Sequence, residues 1–190
     1  MIRKAKLDDF KYIFPILKQI FDEMDLETIN QLPKEQFRQL MKLGFSDSKF
    51  TFGYNHIWVA TDKKDKPIGI LDMYSYEDQE AGSHDEIKKY QPQLGISRDF
   101  TIFTDAEALA NEWYIDSLAV DPNFWGQGIA TNLLSIVPDV AISNGYKLIS
   151  LNVDKENTRA KRLYDYLNFK TVSEMTIGDR VYDHMIKTVN

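Results

Sequence analysis

The stretch that most constrains this chain is Val120-Asp-Pro-Asn-Phe-Trp-Gly-Gln-Gly-Ile-Ala-Thr131. Before it, Glu112 to Val120 reads as a strand. After it, Ile129, Leu133, Ile136, Val137, Val140 and Ala141 recur at helical spacing. The chain must therefore pass from strand to helix through a short loop bearing two glycines. Gly126 and Gly128 let the backbone turn with its amides exposed and no Cβ in the way. The first turn of the helix leaves its N–H groups unpaired and aims the positive end of its dipole at the loop. That is a seat for a phosphate or pyrophosphate, although a Gly-x-Gly taken alone equally describes a tight corner. Two other phosphate motifs do not fit. A P-loop needs Gly-Lys-Ser/Thr, and Ile129 and Ala130 follow Gly128. A dinucleotide fingerprint needs a third glycine where Thr131 stands, in a strand that opens the domain.

The rest of the chain reads as a mixed α/β fold. Ile2 to Ala5 suits a first strand. From Asp8, the residues Phe10, Ile13, Phe14, Leu17, Ile20, Phe21 and Met24 mark a helix, capped by Asp8 or Asp9 and kinked at Pro15. A second helix starts near Pro33, carries Phe37, Leu40, Met41 and Leu43, and ends at Gly44. Ile57 to Thr61 and Ile68 to Tyr74 flank a polar turn and read as a hairpin. Between Tyr76 and Asn111 the pattern fades, apart from a short helix near Asp85 to Tyr90; a connection of this length is a lid, a binding loop or an insertion. The helix from Gly128 to Asn144 contains Pro138, whose missing N–H costs about 3 kcal/mol unless a bend relieves it. Leu148 to Val153 is the next strand. Asn157 caps a helix carrying Ala160, Leu163, Tyr164 and Leu167, with Asn168 at its left-handed end. Strands around Phe169 and from Tyr182 to Thr188 close the chain. The expectation is one domain over residues 1–190, with an insertion at 76–111.

Composition excludes several classes. Hydrophobic residues at 43% and aromatics at 13% provide a core and rule out disorder. With 23 basic and 29 acidic side chains the net charge is −6, which disfavours nucleic acid and anionic membranes as partners. The absence of cysteine removes disulfides, Cys-ligated zinc and a cysteinyl acyl-enzyme. The N-terminus has no apolar h-region and no stretch is long enough to span a membrane, so a cytoplasmic protein is expected. His56, His84 and His184 show no metal-ligand spacing, and no metal is expected.

Val120 to Ala130, together with Asn157-Thr-Arg-Ala-Lys-Arg-Leu-Tyr-Asp-Tyr-Leu-Asn-Phe169, resembles the GNAT-type N-acetyltransferase superfamily. Its pyrophosphate loop has the form Gln/Arg-x-x-Gly-x-Gly/Ala, and its later helix reads Asn-x-x-Ala-x-x-Leu-Tyr-x-x-x-Gly-Phe. Trp125 stands at the Gln/Arg position and Asn168 at the glycine. The resemblance implies an α/β (α+β) domain with a central, mixed, mostly antiparallel sheet of about seven strands, splayed between parallel fourth and fifth strands and flanked by helices. It implies acetyl-CoA as co-substrate. The amides of Gly126, Gln127, Gly128, Ile129, Ala130 and Thr131 would hold the pyrophosphate. Leu118 and Val120 would pair with the pantetheine arm, and Asn157 would contact it from the other side. The acceptor would be a small amine or a peptide amine. A homodimer is compatible with the fold.

Acyl transfer to an amine needs a base, a donor for the oxyanion and an acid for the leaving thiolate. Without cysteine, direct attack by the amine is simpler than an acyl-enzyme. Tyr164 by spacing alone is a core residue; the resemblance makes it the acid, and gives the oxyanion to the N–H of Leu118. For the base, Glu112 shares a strand face with Tyr114, Leu118 and Val120 if alternation holds; a bulge in the strand would promote Asp116 instead. The acids between Asp72 and Tyr90 are either a solvated loop or a lid that attracts a cationic amine. Tyr74, Tyr76, Phe100, Phe103 and Trp113 would line the acceptor pocket or simply pack. The alternative to an enzyme is a catalytically inactive CoA-binding module of the same fold.

Overall fold

The computed structural model describes residues 1–82, 84–102 and 106–190. Seven strands form one sheet: β1 (Ile2–Lys4), β2 (Ile57–Thr61), β3 (Pro67–Ser75), β4 (Glu112–Val120), β5 (Leu148–Asp154), β6 (Lys170–Ile177) and β7 (Arg180–Thr188). Their order is β1-β2-β3-β4-β5-β7-β6, antiparallel throughout except for the parallel pair β4 and β5. The helices are α1 (Phe10–Met24), α2 (Glu27–Asn30), α3 (Lys34–Phe45), α4 (Tyr76–Ala81), α5 (Ile129–Ser135), α6 (Val137–Ser143) and α7 (Thr158–Tyr166).

Both faces of the sheet are covered, so its inner strands are apolar on both sides. On one face, Ile13, Leu17 and Phe21 of α1 and Phe37, Leu40 and Met41 of α3 pack on Ile57, Val59 and Ile70. On the other, Leu133, Val137, Ala141 and Tyr164 pack on Leu71, Met73, Ile115, Leu151 and Met185. The connection between β3 and β4 is packed as well: it sends Ile87, Ile96 and Ile102 into the first of these cores. Buried Gln79 of α4 pins its far end, accepting from the N–H groups of Glu107 at 2.9 Å and Ala108 at 3.0 Å.

Two local expectations are corrected, the single helix from Gly128 to Asn144 and the cap of α1. The helix expected from Gly128 to Asn144 is interrupted at Ile136, which puts Pro138 in the first turn of α6, where a missing N–H breaks no bond. Helix α1 runs through Pro15, which faces solvent. Neither Asp8 nor Asp9 caps α1 by a side-chain bond. A 3-10 turn, Leu7–Asp9, precedes the helix. Asp9 accepts from the N–H of Lys6 at 2.8 Å and pairs with Arg3 at 2.7 Å.

Two irregularities of β4 position the site. Its parallel pairing with β5 runs from Glu112↔Leu148 to Ile115↔Leu151 and stops, although both strands continue, so the sheet opens into a wedge. Against β3 the register jumps from Met73↔Ile115 to Asp72↔Ser117, leaving Asp116 as the extra residue of a bulge.

Candidate active site

Beyond the bulge, the N–H of Asp121 bonds to the carbonyl of Ile68 at 2.9 Å, and in this register Ile70↔Ala119 is the next hydrogen-bonded pair. Antiparallel pairs alternate, so the backbone polar groups of Leu118 and Val120 turn away from β3 and into the wedge. β5 has diverged there and offers no ladder. The result is a short, unpaired strand edge inside a cleft, which suits an amide-bearing chain added as a further strand. The carbonyl of Val120 is partly taken, accepting from Trp125 Nε1 at 2.7 Å.

A cavity of 440 Å³ lies along that edge. Leu118, Ala119, Val120, Gly126, Gly128, Ile129, Ala130 and Thr131 form one wall and Asn157, Arg159, Ala160, Leu163 and Tyr164 of α7 and its cap form the other. Gly126 and Gly128 have φ of +75° and +73°, and a Cβ built on either meets nothing within 4 Å. Glycine is required there by the backbone and not by packing, and the space over the loop stays open. Asn157 Oδ1 caps α7 by accepting from the N–H of Ala160 at 3.0 Å, which leaves its Nδ2 to donate.

A second cavity, of 540 Å³, adjoins the first and shares Ile20, Glu23, Leu118, Asn157, Ala160 and Tyr164 with it. Phe21, Met24, Leu26, Phe52 and Ile177 give it apolar walls; Glu23, Glu107, Asp116, Asp154 and Glu156 line it with acid, against Arg180. Arg180 is bound to Asp154 at 3.0 Å. Two fully buried tyrosines support the inner carboxylates. Tyr74 donates to Asp116 Oδ2 at 2.6 Å, and Tyr114 to Glu107 Oε2 at 2.5 Å, with the rings T-shaped at 5.7 Å. Burial, and then the neighbouring carboxylates, push both phenols well above their usual range, so they remain donors. Ser117 also donates to Asp116, at 2.8 Å. Asp72, fully buried beside the bulge, is pushed well above the usual carboxylate range by burial and then by Asp116.

Tyr164 stands at the junction of the two cavities. It is 9% exposed, its ring packs edge-on against Phe169 at 5.9 Å, and burial pushes its phenol up to about 12. Its hydroxyl makes no hydrogen bond with the described residues. A buried phenol that keeps its proton at neutral pH and faces two cavities is available to a ligand spanning both.

The acetyltransferase (GNAT) family model matches residues 17–169. The chain belongs to that family. A crystal structure described as an acetyltransferase aligns over 100% of both chains with 32% identity and a TM-score of 0.88. The N-acetyltransferase from Staphylococcus aureus Mu50 aligns over 98% of this chain and 100% of its own, with 26% identity and a TM-score of 0.79. Among curated proteins, the ribosomal protein bS18-alanine N-acetyltransferase of Haemophilus ducreyi is 34% identical over 71 residues, 37% of this chain and 49% of its own length. An acetyltransferase of Pectobacterium atrosepticum is 35% identical over 66 residues, 35% of this chain and 47% of its own. The chain thus spans about half the length of the curated relatives it matches. The seven-stranded mixed sheet with β4 and β5 parallel is the single GNAT fold.

In this GNAT chain Leu118, Val120, Gly126, Gly128, Ile129, Ala130, Thr131, Asn157 and Tyr164 come together around one cleft; Gln127 is absent from the cavity lining. Glu112 sits elsewhere. It lies at the opposite end of β4, is 8% exposed, and its Oε2 is 3.2 Å from Nε2 of His184. The expectation that it shares a face with Leu118 and Val120 is corrected by the bulge, which ends the alternation at Asp116. Among the described residues a relay of hydrogen bonds joins Glu112 to the second cavity. His184 Nδ1 is 2.7 Å from Asn152 Oδ1, Asn152 Nδ2 donates to the Tyr114 hydroxyl at 3.2 Å, and Tyr114 donates to Glu107.

Glu107 and Asn152 carry no signal in the sequence: neither lies in a motif, and the packing of α4 and the opening of the sheet bring them to the cavity. Of the acids between Asp72 and Tyr90, Asp78 caps α4, Glu77 accepts from Tyr146, and Glu86 pairs with Lys89. They serve the local structure and do not line the cavity. Tyr74 supports it from behind, whereas Trp113 packs in the core on the far face of the sheet. Phe103 and the side chain of His84 lie outside the described residues. Among the described residues no group of three or more His, Asp or Glu is placed to hold a metal, and no helix is long and apolar enough to cross a membrane.

Proposed function

We propose that this protein transfers the acetyl group of acetyl-CoA to a primary amine by direct attack in a ternary complex. The observation that carries the reading is Tyr164, a buried phenol whose hydroxyl has no hydrogen-bond partner among the described residues, at the junction of an amide-lined cleft and an acid-lined cavity. The cleft fits the co-substrate: open glycine amides suit the pyrophosphate, and the unpaired edge at Leu118 and Val120 suits the pantetheine amides. When bound, acetyl-CoA supplies a thioester carbonyl activated for attack.

The chain's own residues then divide the work. Asp116 in the bulge, in place of the remote Glu112, takes one proton from the acceptor's ammonium and releases it to solvent, so that the restored carboxylate takes the second as the C–N bond forms. The N–H of Leu118 faces the carbonyl oxygen and stabilises its developing charge. Tyr164 gives its proton to the sulfur as the C–S bond breaks. The products are the N-acetylated amine and CoA thiol, and the phenol is restored by proton exchange with solvent. The five acids of the second cavity against one arginine favour a cationic acceptor with an apolar body. A protein amine, of the kind implied by the name of the Haemophilus ducreyi relative, a ribosomal protein bS18-alanine N-acetyltransferase, is one such acceptor.

Titration calorimetry with acetyl-CoA is the first test, with one site per chain and a Kd near micromolar expected. Thiol release with a panel of amines is the second. Binding without turnover of any amine would identify a CoA-binding module. Absence of binding would remove the acetyltransferase reading altogether.

A further inference from the structure

Trp125 and Arg159 stand across the mouth of the nucleotide cleft from each other, one on the glycine loop and one in the first turn of α7. The guanidinium carbon of Arg159 lies over the indole, 5.1 Å from the ring centroid. The indole is itself fixed, because Trp125 Nε1 donates to the Val120 carbonyl at 2.7 Å. Trp125 is nevertheless 51% exposed, and Arg159 is exposed. A tryptophan left half in water but tied to the end of a strand is poorly explained as core. It acts as a platform, and a cation held over an indole loses much of the freedom of a long side chain before it meets a ligand. Among the described residues lining this cleft Arg159 is the one base, and Glu23 is an acid. In a chain of net charge −6, a cleft for a polyanion with a single cation at its mouth concentrates the charge recognition in that one side chain.

Resting on the acetyl-CoA reading above, we infer that Trp125 and Arg159 form a phosphate clasp, in which the strand-anchored indole presents the guanidinium to a phosphate of the cofactor's nucleotide end. Arg159 is the specificity-determining contact and Trp125 a positioning residue. The planar fork of arginine matches a phosphate in a way that lysine does not.

The test is titration calorimetry of the full chain with CoA and with dephospho-CoA. The variants are Arg159→Gln, Arg159→Lys, Trp125→Ala and Trp125→Phe. Arg162→Gln removes the same formal charge elsewhere on α7 and serves as the control. Arg159→Gln is expected to weaken CoA binding about tenfold or more, with Arg159→Lys recovering part of the loss. Trp125→Ala should lose several-fold, and Trp125→Phe, which keeps a ring but cannot bond to Val120, should fall between. Weakening of CoA alone assigns the 3′-phosphate; equal weakening of both ligands assigns the pyrophosphate. If Arg159→Gln binds CoA as tightly as Arg162→Gln does, the clasp is overturned and the acetyl-CoA reading stands. A parent chain that binds neither ligand overturns both.

Discussion

The Tyr74 hydroxyl donates to Asp116 Oδ2 at 2.6 Å, from a tyrosine with no solvent exposure to a carboxylate that lines the acceptor cavity. This fixed donor orients the carboxylate from behind, on the wall of the cavity. Asp116→Asn should lower kcat by about 10²- to 10⁴-fold, the usual range for a general base, with acetyl-CoA affinity nearly unchanged. Glu112→Gln should change kcat far less and thermal stability more, because it disturbs a buried pairing with His184. Steady-state kinetics and thermal melts of the two variants side by side decide between the carboxylates.

Tyr164→Phe should reduce turnover while the acetyl-CoA Kd stays within about twofold, since the packing face of the ring is retained. Because burial holds the phenol at about 12, its ionisation should impose no fall in rate below about pH 11. An alkaline limb near pH 9 in the parent that this variant loses would assign that ionisation to Tyr164 and overturn its raised value; unchanged turnover in the variant would remove Tyr164 from the proton chemistry.

The same burial sets the alkaline limit of the fold. Tyr164 and Tyr182 are both pushed up to about 12, Tyr164 by burial alone and Tyr182 by burial and then Asp154. Unfolded tyrosine ionises near 10, at about its unperturbed value. The unfolded chain therefore releases these protons first, and stability, complete below pH 10, should fall between pH 10 and 12. Denaturant midpoints across that window should drop less steeply for Tyr164→Phe than for the parent.

Glycine-to-alanine changes should act by different routes at two places. At Gly126 the added Cβ meets nothing, but φ is +75°, so the strain is confined to the backbone and amounts to about 1–2 kcal/mol; acetyl-CoA affinity should fall with it as the loop shifts. At Gly69 the Cβ would lie 3.0 Å from Ile129 Cγ2 and 3.2 Å from Leu133 Cδ1, so these two side-chain ends must give by a few tenths of an ångström. The melting temperature of this variant should fall through packing. A crystal structure of each variant would show the loop displaced in the first and the Ile129 and Leu133 side chains in the second.

Gln79→Ala should remove the two bonds that hold the Glu107 and Ala108 amides, a loss of about 1 kcal/mol for each bond. If this side chain positions the acceptor wall, KM for the amine should rise while the acetyl-CoA Kd stays the same. Equal changes in both would make it a purely structural residue.

What the sequence disclosed divides along physical lines. The glycine-loop side of the candidate site was legible as geometry because it is local: Gly126, Gly128, Asn157 and Tyr164 sit at fixed offsets on one loop and one helix, and their placement follows from turn and cap chemistry. Asn168, at φ +67°, adopts the left-handed conformation expected at the end of α7 for the same reason. The acceptor side was not legible. The bulge at Asp116 exists only relative to β3, so no reading of β4 alone could decide between Glu112 and Asp116. Glu107 enters the cavity because Gln79, 28 residues earlier, holds its backbone. The break at Ile136 was also hidden, since an apolar stripe with one proline suits a bent helix and a pair of helices equally well.

One extra residue in β4 also separates two inheritances of the same strand. Upstream of Asp116, odd-numbered positions such as Trp113 and Ile115 look toward α5 and α6; downstream, even-numbered Leu118 does so and odd-numbered Ala119 looks toward α1. Deleting Asp116 would remove the carboxylate and the bulge together: Ile115 and Ser117 would stand side by side opposite Met73 and Asp72, and Leu118 and Ala119 would keep their faces. One residue inserted or removed between Ser117 and Val120 would instead exchange the faces of every later position and carry the unpaired edge onto the wrong parity. Natural variation in length should therefore fall at 116 and not at the positions that follow it.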